Sequence, residues 1–309
     1  AGCPFVLKPA EESPLTALLL ARLWEECGGW PSTFQVLPSS DPERLSCPFL
    51  NDARIRKLTF TGSTPVGKRL YERSASTLKR ISLELGGGAP FLVFADADLE
   101  KAADGAITAK FRNGGQSCVA ANAFYLQEEI AADFTRRFAE RVAALRLGDP
   151  LDEKTQVGPL VNEQGLTKVR ELVEDALGRG AETLLGGPSH GLYFPPRILR
   201  GVPPDSRILE EEIFGPVAPL CTFRTEAEAL AAARRGRAGL AAYLWTRDLA
   251  RALRFAEELP YGIVGVNDAL PSTAQAPFGG VRESGLGREG GKWGLAEYLE
   301  PQYISLGLS

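Results

Sequence analysis

Cys118 is the residue whose type and surroundings best suit covalent chemistry. It ends the sequence NGGQSC over residues 113–118, directly after a predicted helix that two glycines terminate. Small polar neighbours on a flexible backbone leave a thiol accessible, and an accessible thiolate is a strong nucleophile. Most free cysteines are simply buried as small apolar residues, so burial is the alternative interpretation of Cys118.

A nucleophilic cysteine needs a base, and the chain contains a single histidine, His190. His190 lies in a loop of glycine, proline and serine over residues 187–191, where we expect an exposed side chain without a catalytic role. A carboxylate must then act as the base. Glu84 is the candidate because it lies among apolar residues at the end of a predicted strand, where burial raises the pKa of a carboxyl group. An outward-pointing Glu84 on an alternating strand is the alternative.

The turn GSTPVGKR over residues 62–69 nearly matches the phosphate-binding pattern GxxxxGK[ST]. It follows a predicted strand and begins a helix, for which Thr64 is the expected N-cap and Pro65 lies in the first turn. Arg69 stands where a hydroxyl would hold magnesium, so an ATPase is not indicated. A strand–glycine–helix turn still directs backbone N–H groups at an anion, and a pyrophosphate is the expected ligand. A purely structural turn is the alternative.

A second glycine pattern, GxGxxG over residues 285–290, matches the dinucleotide fingerprint letter by letter. It follows a polar, glycine-rich loop and not a strand, so the context of that fingerprint is missing. We interpret it as structural.

The candidate residues lie in a chain with the alternating pattern of an α/β protein. Such alternation indicates parallel strands with helical crossovers, covered by helices on both faces. Ser13 is the expected cap of the first helix, with Pro14 at its first position. Glycines 86–88 mark a boundary, a flexible hinge between two strand-bearing blocks. Strands are predicted at 4–7, 34–37, 56–61, 80–85, 91–94, 123–127, 216–223, 240–246 and 262–267, and helices at 14–27, 99–112, 130–145 and 163–177.

Composition narrows the classes of function. The 309 residues carry a formal net charge of −4, which gives no electrostatic reason to expect nucleic acid or an anionic membrane as a partner. No apolar run approaches the ~18 residues of a membrane span. The five cysteines are scattered and form no CxxC pair. That pattern favours a reducing, cytoplasmic compartment over disulfides, and it predicts no metal site.

Several short motifs together resemble the aldehyde dehydrogenase superfamily. The sequences LELGG at 83–87 and GQSC at 115–118 are similar to the active-site pair of that family. Within the superfamily, AKFRN at 109–113 and VGVN at 264–267 most resemble the succinate-semialdehyde dehydrogenases. The other motifs follow in family order over nearly the whole chain: VLKPAE at 6–11, FTGS at 60–63, EEIFGP at 211–216, PFGG at 277–280 and SGLGREG at 284–290.

The resemblance implies oxidation of an aldehyde to a carboxylic acid through a thiohemiacetal and a thioester on Cys118, with Glu84 as the base that activates water. It implies NAD as the cofactor, with NADP possible, and succinate semialdehyde as the substrate. Arg112 and Ser272 are the expected substrate-binding residues. The expected cofactor-binding residues are Lys8, Glu11, Gly62, Ser63, Leu85, Glu212 and Phe214.

The resemblance also implies the domain organisation. Residues 1–86 are expected to be the C-terminal part of a parallel-sheet NAD-binding domain that is N-terminally incomplete in this sequence. Residues 87–284 are the expected α/β catalytic domain, and residues 285–309 form an arm with an oligomerisation strand, so a homodimer or homotetramer is expected. The alternatives are another substrate class within the family, a CoA-acylating or glutamate-semialdehyde-type relative, and a truncated non-catalytic subunit.

Overall fold

The computed structural model describes residues 1–307 and has an α/β architecture. The helices are α1 (Leu15–Glu26), α2 (Pro42–Asn51), α3 (Thr64–Ser74), α4 (Leu99–Phe111), α5 (Glu128–Ala143), α6 (Glu163–Gly178), α7 (Glu226–Ala233), α8 (Leu249–Glu258) and α9 (Gly291–Ala296). The strands are β1 (Phe5–Leu7), β2 (Phe34–Val36), β3 (Lys57–Thr61), β4 (Arg80–Glu84), β5 (Ala89–Val93), β6 (Ala121–Gln127), β7 (Glu182–Leu185), β8 (Arg197–Arg200), β9 (Val217–Phe223), β10 (Ala241–Trp245), β11 (Ile263–Val266) and β12 (Gly285–Leu286). Every strand predicted from the sequence is present, with ends shifted by at most two residues.

The larger sheet has seven strands in the order β11-β10-β5-β6-β9-β8-β7. Neighbours are parallel except at the edge, where β7 runs antiparallel to β8. Buried side chains of α4 and α5 pack on one face of this sheet, and those of α6, α7 and α8 pack on the other. Covering both faces explains why β5 and β10 are buried at every position. The predicted helix-covered parallel sheet is confirmed.

The smaller sheets belong mainly to the first block of the chain. β1 and β2 form a parallel pair, and a three-stranded sheet has the order β12-β4-β3, with β12 antiparallel to β4. The glycines at 86–88 separate β4 from β5, and therefore the three-stranded sheet from the seven-stranded one. Residues 285–286 return to β4, and Glu297 just beyond α9 contacts Lys57 of β3. The division into domains remains a proposal.

Two predicted helix N-caps differ from the structure, and α5 begins at Glu128, two residues before its predicted start. Pro14 is the N-cap of α1 and Leu15 its first residue, so Ser13 does not cap this helix. Ser63, in an extended conformation with φ −72° and ψ 145°, is the N-cap of α3, and Thr64 is the first helical residue. The predictions were wrong by one residue because cap positions depend on the backbone dihedral angles, for which residue type is only a weak guide.

Residues 301–307 lie in no strand of the structure and are exposed. A strand that pairs with another subunit would need that subunit, so the oligomerisation strand stays a prediction. Residues 308 and 309 of the predicted arm lie outside the described residues. Among residues 1–307, no helix combines the length and the apolar composition that crossing a membrane requires.

Candidate active site

Glu84 lies at the C-terminal end of β4, and its side chain is only 3% exposed. The backbone holds it firmly, since its carbonyl accepts a hydrogen bond from the N–H of Gly62 (3.0 Å). Burial, reinforced by the charge of Glu289 and opposed by Arg288, raises the pKa of Glu84 to about 8. Its Oε2 has no hydrogen-bond partner among the described residues. A buried carboxyl group with an unpaired oxygen and a pKa near neutrality is suited to accept a proton from water.

The loop that carries Cys118 leaves α4 through a left-handed turn. Asn113, Gly114 and Gly115 all have positive φ (54°, 63° and 75°), which a non-glycine residue adopts only at a cost. Glycine is required at 115 for a second reason, since a Cβ there would lie 2.3 Å from the carbonyl oxygen of Gly215. Gln116 then fixes the loop, because its Oε1 accepts a hydrogen bond from the N–H of Val161 (2.8 Å). Cys118 is thereby presented on a rigid turn.

Glu212 lies on the other side of the same site. Its Oε1 accepts a hydrogen bond from the N–H of Gly87 (3.0 Å), while its Oε2 has no such partner within residues 1–307. Gly87 also packs against the nucleophile's backbone, since a Cβ there would lie 2.5 Å from the carbonyl oxygen of Cys118. The loop of Glu212 is held by buried Asn122 of β6, whose side chain accepts from Ile213 N–H (2.8 Å) and donates to the Glu211 carbonyl (3.1 Å).

The surroundings of Cys118 shift the pKa of its thiol in opposite directions. Burial raises the pKa of the thiol, and the carboxylates of Glu212 and then Glu84 raise it further. The backbone N–H groups of Cys118 and Val119 lower it, because they favour the thiolate. The structure therefore brings Glu84, Cys118 and Glu212 into one site.

Arg112 and Ser272 line a second part of this site, a cavity of about 160 Å³ beside the Cys118 loop. Arg112 is exposed and forms no ion pair or hydrogen bond within the described chain, so its guanidinium is available to a ligand. Tyr243 of β10 forms one wall, and its hydroxyl donates a 2.6 Å hydrogen bond to the carbonyl of Val119. The cavity is small, has a cation on its lining, and adjoins the residue that follows Cys118.

The residues predicted to bind a dinucleotide are arranged around two turns. Lys8 and Glu11 follow β1 and form an ion pair with each other (2.7 Å), which lowers the pKa of Glu11. No ion pair or hydrogen bond within residues 1–307 connects this pair to Gly62 or Ser63.

The turn of Gly62 and Ser63 presents the N-terminus of α3, where the Ser63 side chain is exposed and makes no capping hydrogen bond. Leu85 is buried, and its N–H bonds the carbonyl of Ser284 (2.9 Å). Phe214 is 39% exposed with φ +52°, a strained position for an aromatic residue.

These positions fit a nicotinamide dinucleotide. The free N-terminal end of an 11-residue helix suits a pyrophosphate, since its first N–H groups and its dipole favour an anion. The Oε2 of Glu212, which has no hydrogen-bond partner within residues 1–307, can accept a hydrogen bond from a ribose hydroxyl, and Gly87 contacts both Glu212 and the nucleophile's backbone. The roles of individual residues remain proposals.

Four residues of the site were missed by the sequence analysis. Asn122 holds the loop of Glu212 through its side-chain amide, and Tyr243 holds the loop of Cys118 through its hydroxyl. Ser284 holds Leu85 through its backbone carbonyl. Lys110 is fully buried next to the site. Only Lys110 gave a signal in the sequence, because it continues the buried face formed by Ala102, Ala103, Ala106 and Ala109 of α4, where a lysine is unexpected. His190 is exposed, and its backbone forms an isolated antiparallel β-bridge with Tyr193.

One family profile and several known proteins match this chain. The profile described as the aldehyde dehydrogenase family matches residues 1–304. Succinate-semialdehyde dehydrogenase of Paenarthrobacter nicotinovorans is 49% identical over 309 residues, which cover 99% of this chain and 69% of that protein. Glutarate-semialdehyde dehydrogenase of Pseudomonas putida is 46% identical over 307 residues, which cover 99% of this chain and 64% of that protein.

A solved structure described as an E. coli NADP-dependent enzyme superposes with a TM-score of 0.98 at 45% identity. The superposition covers all of this chain and 64% of the other. This chain therefore spans roughly two thirds of the length of the proteins that it matches.

Proposed function

The chain belongs to the aldehyde dehydrogenase family, and on that premise we propose that it oxidises an aldehyde to a carboxylic acid through a covalent intermediate on Cys118. The observation that carries the proposal is the meeting of a nucleophilic thiol with a buried carboxyl group, Glu84, whose pKa is raised to about 8. A carboxyl group with that pKa is partly ionised at neutral pH, so it can accept a proton from water, and it is basic enough to retain that proton.

The proposed reaction begins when the Cys118 thiolate attacks the aldehyde carbon. The backbone N–H groups of Cys118 and Val119 stabilise the negative oxygen of the thiohemiacetal. When bound, the nicotinamide dinucleotide supplies the hydride acceptor that this carbon requires to become a thioester. Glu84 then removes a proton from water, and the resulting hydroxide displaces the Cys118 thiolate to release the carboxylic acid.

The cofactor would be held at both of its ends. Ser63 and the N-terminus of α3 would bind the pyrophosphate, and Glu212 would accept a hydrogen bond from the nicotinamide ribose. Lys8 and Glu11 would bind the adenosine ribose. We propose NAD over NADP because the Glu11 carboxylate repels a 2′-phosphate. The nearby Lys8 opposes that effect, so the preference is expected to be modest.

We propose that the substrate is a short aldehyde with a distal carboxylate, and succinate semialdehyde is the first candidate. Arg112 is an unpaired cation on a cavity of about 160 Å³, and Ser272 supplies a hydroxyl on the same lining. A guanidinium can bind a carboxylate through paired hydrogen bonds and so hold the other end of a short substrate in one orientation. The names of the two curated relatives, which refer to succinate and glutarate semialdehydes, support this class.

The decisive experiment separates the two chemical steps by rapid mixing of the purified protein with NAD and succinate semialdehyde. Cys118→Ser is expected to abolish NADH formation altogether. Glu84→Gln is expected to keep a first burst of NADH and to stall afterwards, because only thioester hydrolysis needs the base. Absence of the burst in Glu84→Gln, with the burst intact in the unaltered protein, would overturn the role given to Glu84.

A further inference from the structure

Lys110 is a buried cation that the proposed mechanism does not use. It lies in the last turn of α4, is 1% exposed, and its Nζ makes no hydrogen bond to any other residue of the described chain. Burial lowers the pKa of Lys110 to about 7. An ammonium group taken out of water without hydrogen bonds destabilises the fold, and an apolar residue would suit this alanine-rich helix face better. The unfavourable burial points to a functional use of the charge.

Glu212 is the carboxylate whose charge acts on Lys110. The loop that carries Glu212 packs directly on the end of α4, since a Cβ at Gly115 would lie 2.3 Å from the Gly215 carbonyl oxygen and 3.1 Å from that of Lys110. The two side chains interact through their charges. Burial lowers the pKa of Lys110, and the charge of Glu212 raises it. Burial raises the pKa of Glu212, and the N–H of Gly87, the ammonium of Lys168 and then that of Lys110 lower it.

Other groups also face Glu212. They are the N–H of Gly87, the Cys118 thiol and, from α6, the ammonium of Lys168. Lys168 is only half-buried, so water screens its charge, whereas the charge of Lys110 acts through protein. Lys168 lowers the pKa of Glu212 more than Lys110 does. Lys110 is the fully buried one of these two cations, so solvent and salt screen its charge less.

We propose that Lys110 is a positioning residue that keeps Glu212 ionised and oriented so that its carboxylate can accept hydrogen bonds from the ribose of the bound dinucleotide. The proposal rests on the role of Glu212 given above. A protonated Glu212 would have one acceptor oxygen fewer, and without a nearby cation the buried carboxylate would protonate at a higher pH.

The test is the affinity for NADH, measured by its fluorescence between pH 6 and pH 9, in Lys110→Met. Methionine has a similar length and no charge, and replacing a buried charge by an apolar side chain is often neutral or stabilising, so the variant is expected to fold. At pH 7 the dissociation constant should rise tenfold or more. The loss should shrink as the pH rises above 7, because Glu212 then ionises without help and because Lys110, with a pKa of about 7, loses its own charge in the unaltered protein. Lys101→Met, on the exposed side of the same helix, should bind NADH as the unaltered protein does.

Two further comparisons decide between the explanations. In a Glu212→Gln background, neither Lys110→Met nor Lys168→Met should cause additional loss of affinity. Should Glu212→Gln bind NADH normally, the role of Glu212 in the proposed function fails. Should Glu212→Gln weaken binding while Lys110→Met and a second apolar variant, Lys110→Leu, bind normally at every pH, the proposal for Lys110 is overturned. An equal loss of NADH affinity on Lys110→Met in the unaltered protein and in the Glu212→Gln background would also overturn it.

Discussion

The pKa of Glu84 makes the pH dependence of turnover the sharpest quantitative prediction. If Glu84 is the base for thioester hydrolysis, steady turnover should follow the ionised fraction of its carboxyl group. With a pKa of about 8, that fraction is about 10% at pH 7, half at pH 8 and about 90% at pH 9. Turnover should therefore rise roughly fivefold from pH 7 to pH 8 and less than twofold from pH 8 to pH 9.

The measurement must separate Glu84 from Cys118, since ionisation of the thiol also favours high pH. The rate of the NADH burst reports attack by Cys118, whereas the steady rate after the burst reports hydrolysis. Glu84→Gln should retain the pH dependence of the burst and lose that of the steady phase. Glu289→Gln is an informative control, because removing a negative charge near Glu84 should lower its pKa and shift the midpoint of the steady phase to lower pH.

The same pKa predicts an effect on stability with a definite sign. A carboxyl group whose pKa is about 8 in the folded chain, against an ordinary value of 4.5, holds a proton in the folded state that the unfolded state has released. Its contribution to stability is fully present below the unfolded pKa and is lost as the pH rises through 8, by at most ~1.4 kcal/mol per pH unit. The free energy of unfolding should therefore fall more steeply with pH in the unaltered protein than in Glu84→Gln.

The free energy of unfolding in urea can be measured between pH 5.5 and pH 8 in the unaltered protein and in Glu84→Gln. If it falls with the same slope in both proteins, and if the steady rate is flat from pH 7 to pH 9, Glu84 is ionised throughout that range. The assignment of Glu84 as a base tuned by burial would then be wrong.

Two further predictions concern binding. Glu11→Gln should release Lys8 from its ion pair and reduce the preference for NAD over NADP, read as the ratio of kcat/KM values; an unchanged ratio would remove Glu11 from cofactor selection. Arg112→Ala should reduce kcat/KM for succinate semialdehyde by roughly tenfold or more, ~1.4 kcal/mol, and leave uncharged butanal nearly unaffected. Equal losses on both aldehydes would make Arg112 a structural residue at the end of α4.

Much of the fold could be predicted because its signals are local. Five strands of the seven-stranded sheet, β5, β6, β9, β10 and β11, are apolar runs between glycines and polar turns, and each was found within two residues of its observed ends. The other two, β7 and β8, were not predicted, because each has only four residues and charged residues at one or both ends. The strand order could not be predicted, because the order of strands depends on long-range packing that a single sequence does not encode locally. The short strand β12 also escaped prediction, since two residues, Gly285 and Leu286, carry no periodicity.

The residues of the candidate site that belong to sequence motifs could be predicted, whereas those that act through contacts between distant parts of the chain could not. Cys118, Glu84 and Glu212 were identified from the sequence, and the structure brings them together. Asn122 and Tyr243 were not, because their contribution is a hydrogen bond to a backbone group distant in sequence: Asn122 to Ile213, and Tyr243 to Val119. Such a contact depends on the fold, and residue type alone does not indicate it.

The glycines at 86–88 were interpreted from the sequence as a flexible boundary, and the structure gives one of them a more specific task. Gly87 donates its N–H to Glu212 and packs against the Cys118 carbonyl, so it lies between two residues of the proposed chemistry. A Cβ at Gly87 would lie 2.5 Å from that carbonyl oxygen, whereas a Cβ at Gly88 would meet nothing closer than 3.8 Å. The pair therefore offers a matched test of backbone contact against flexibility.

Gly87→Ala should displace the Cys118 backbone, because contacts of 2.5 Å to a carbonyl oxygen are not tolerated. A shift of about 1 Å in a reacting group can cost on the order of 10²-fold in rate, so kcat and the rate of Cys118 alkylation by iodoacetamide should both fall sharply. Gly88→Ala should leave both rates unchanged and raise stability by roughly 0.4–1 kcal/mol, since it only restricts the unfolded chain. If flexibility were the reason for these glycines, the two variants would lose activity alike. Activity lost in Gly87→Ala alone would mean that the glycine is there for close approach between the Glu84 and Cys118 segments.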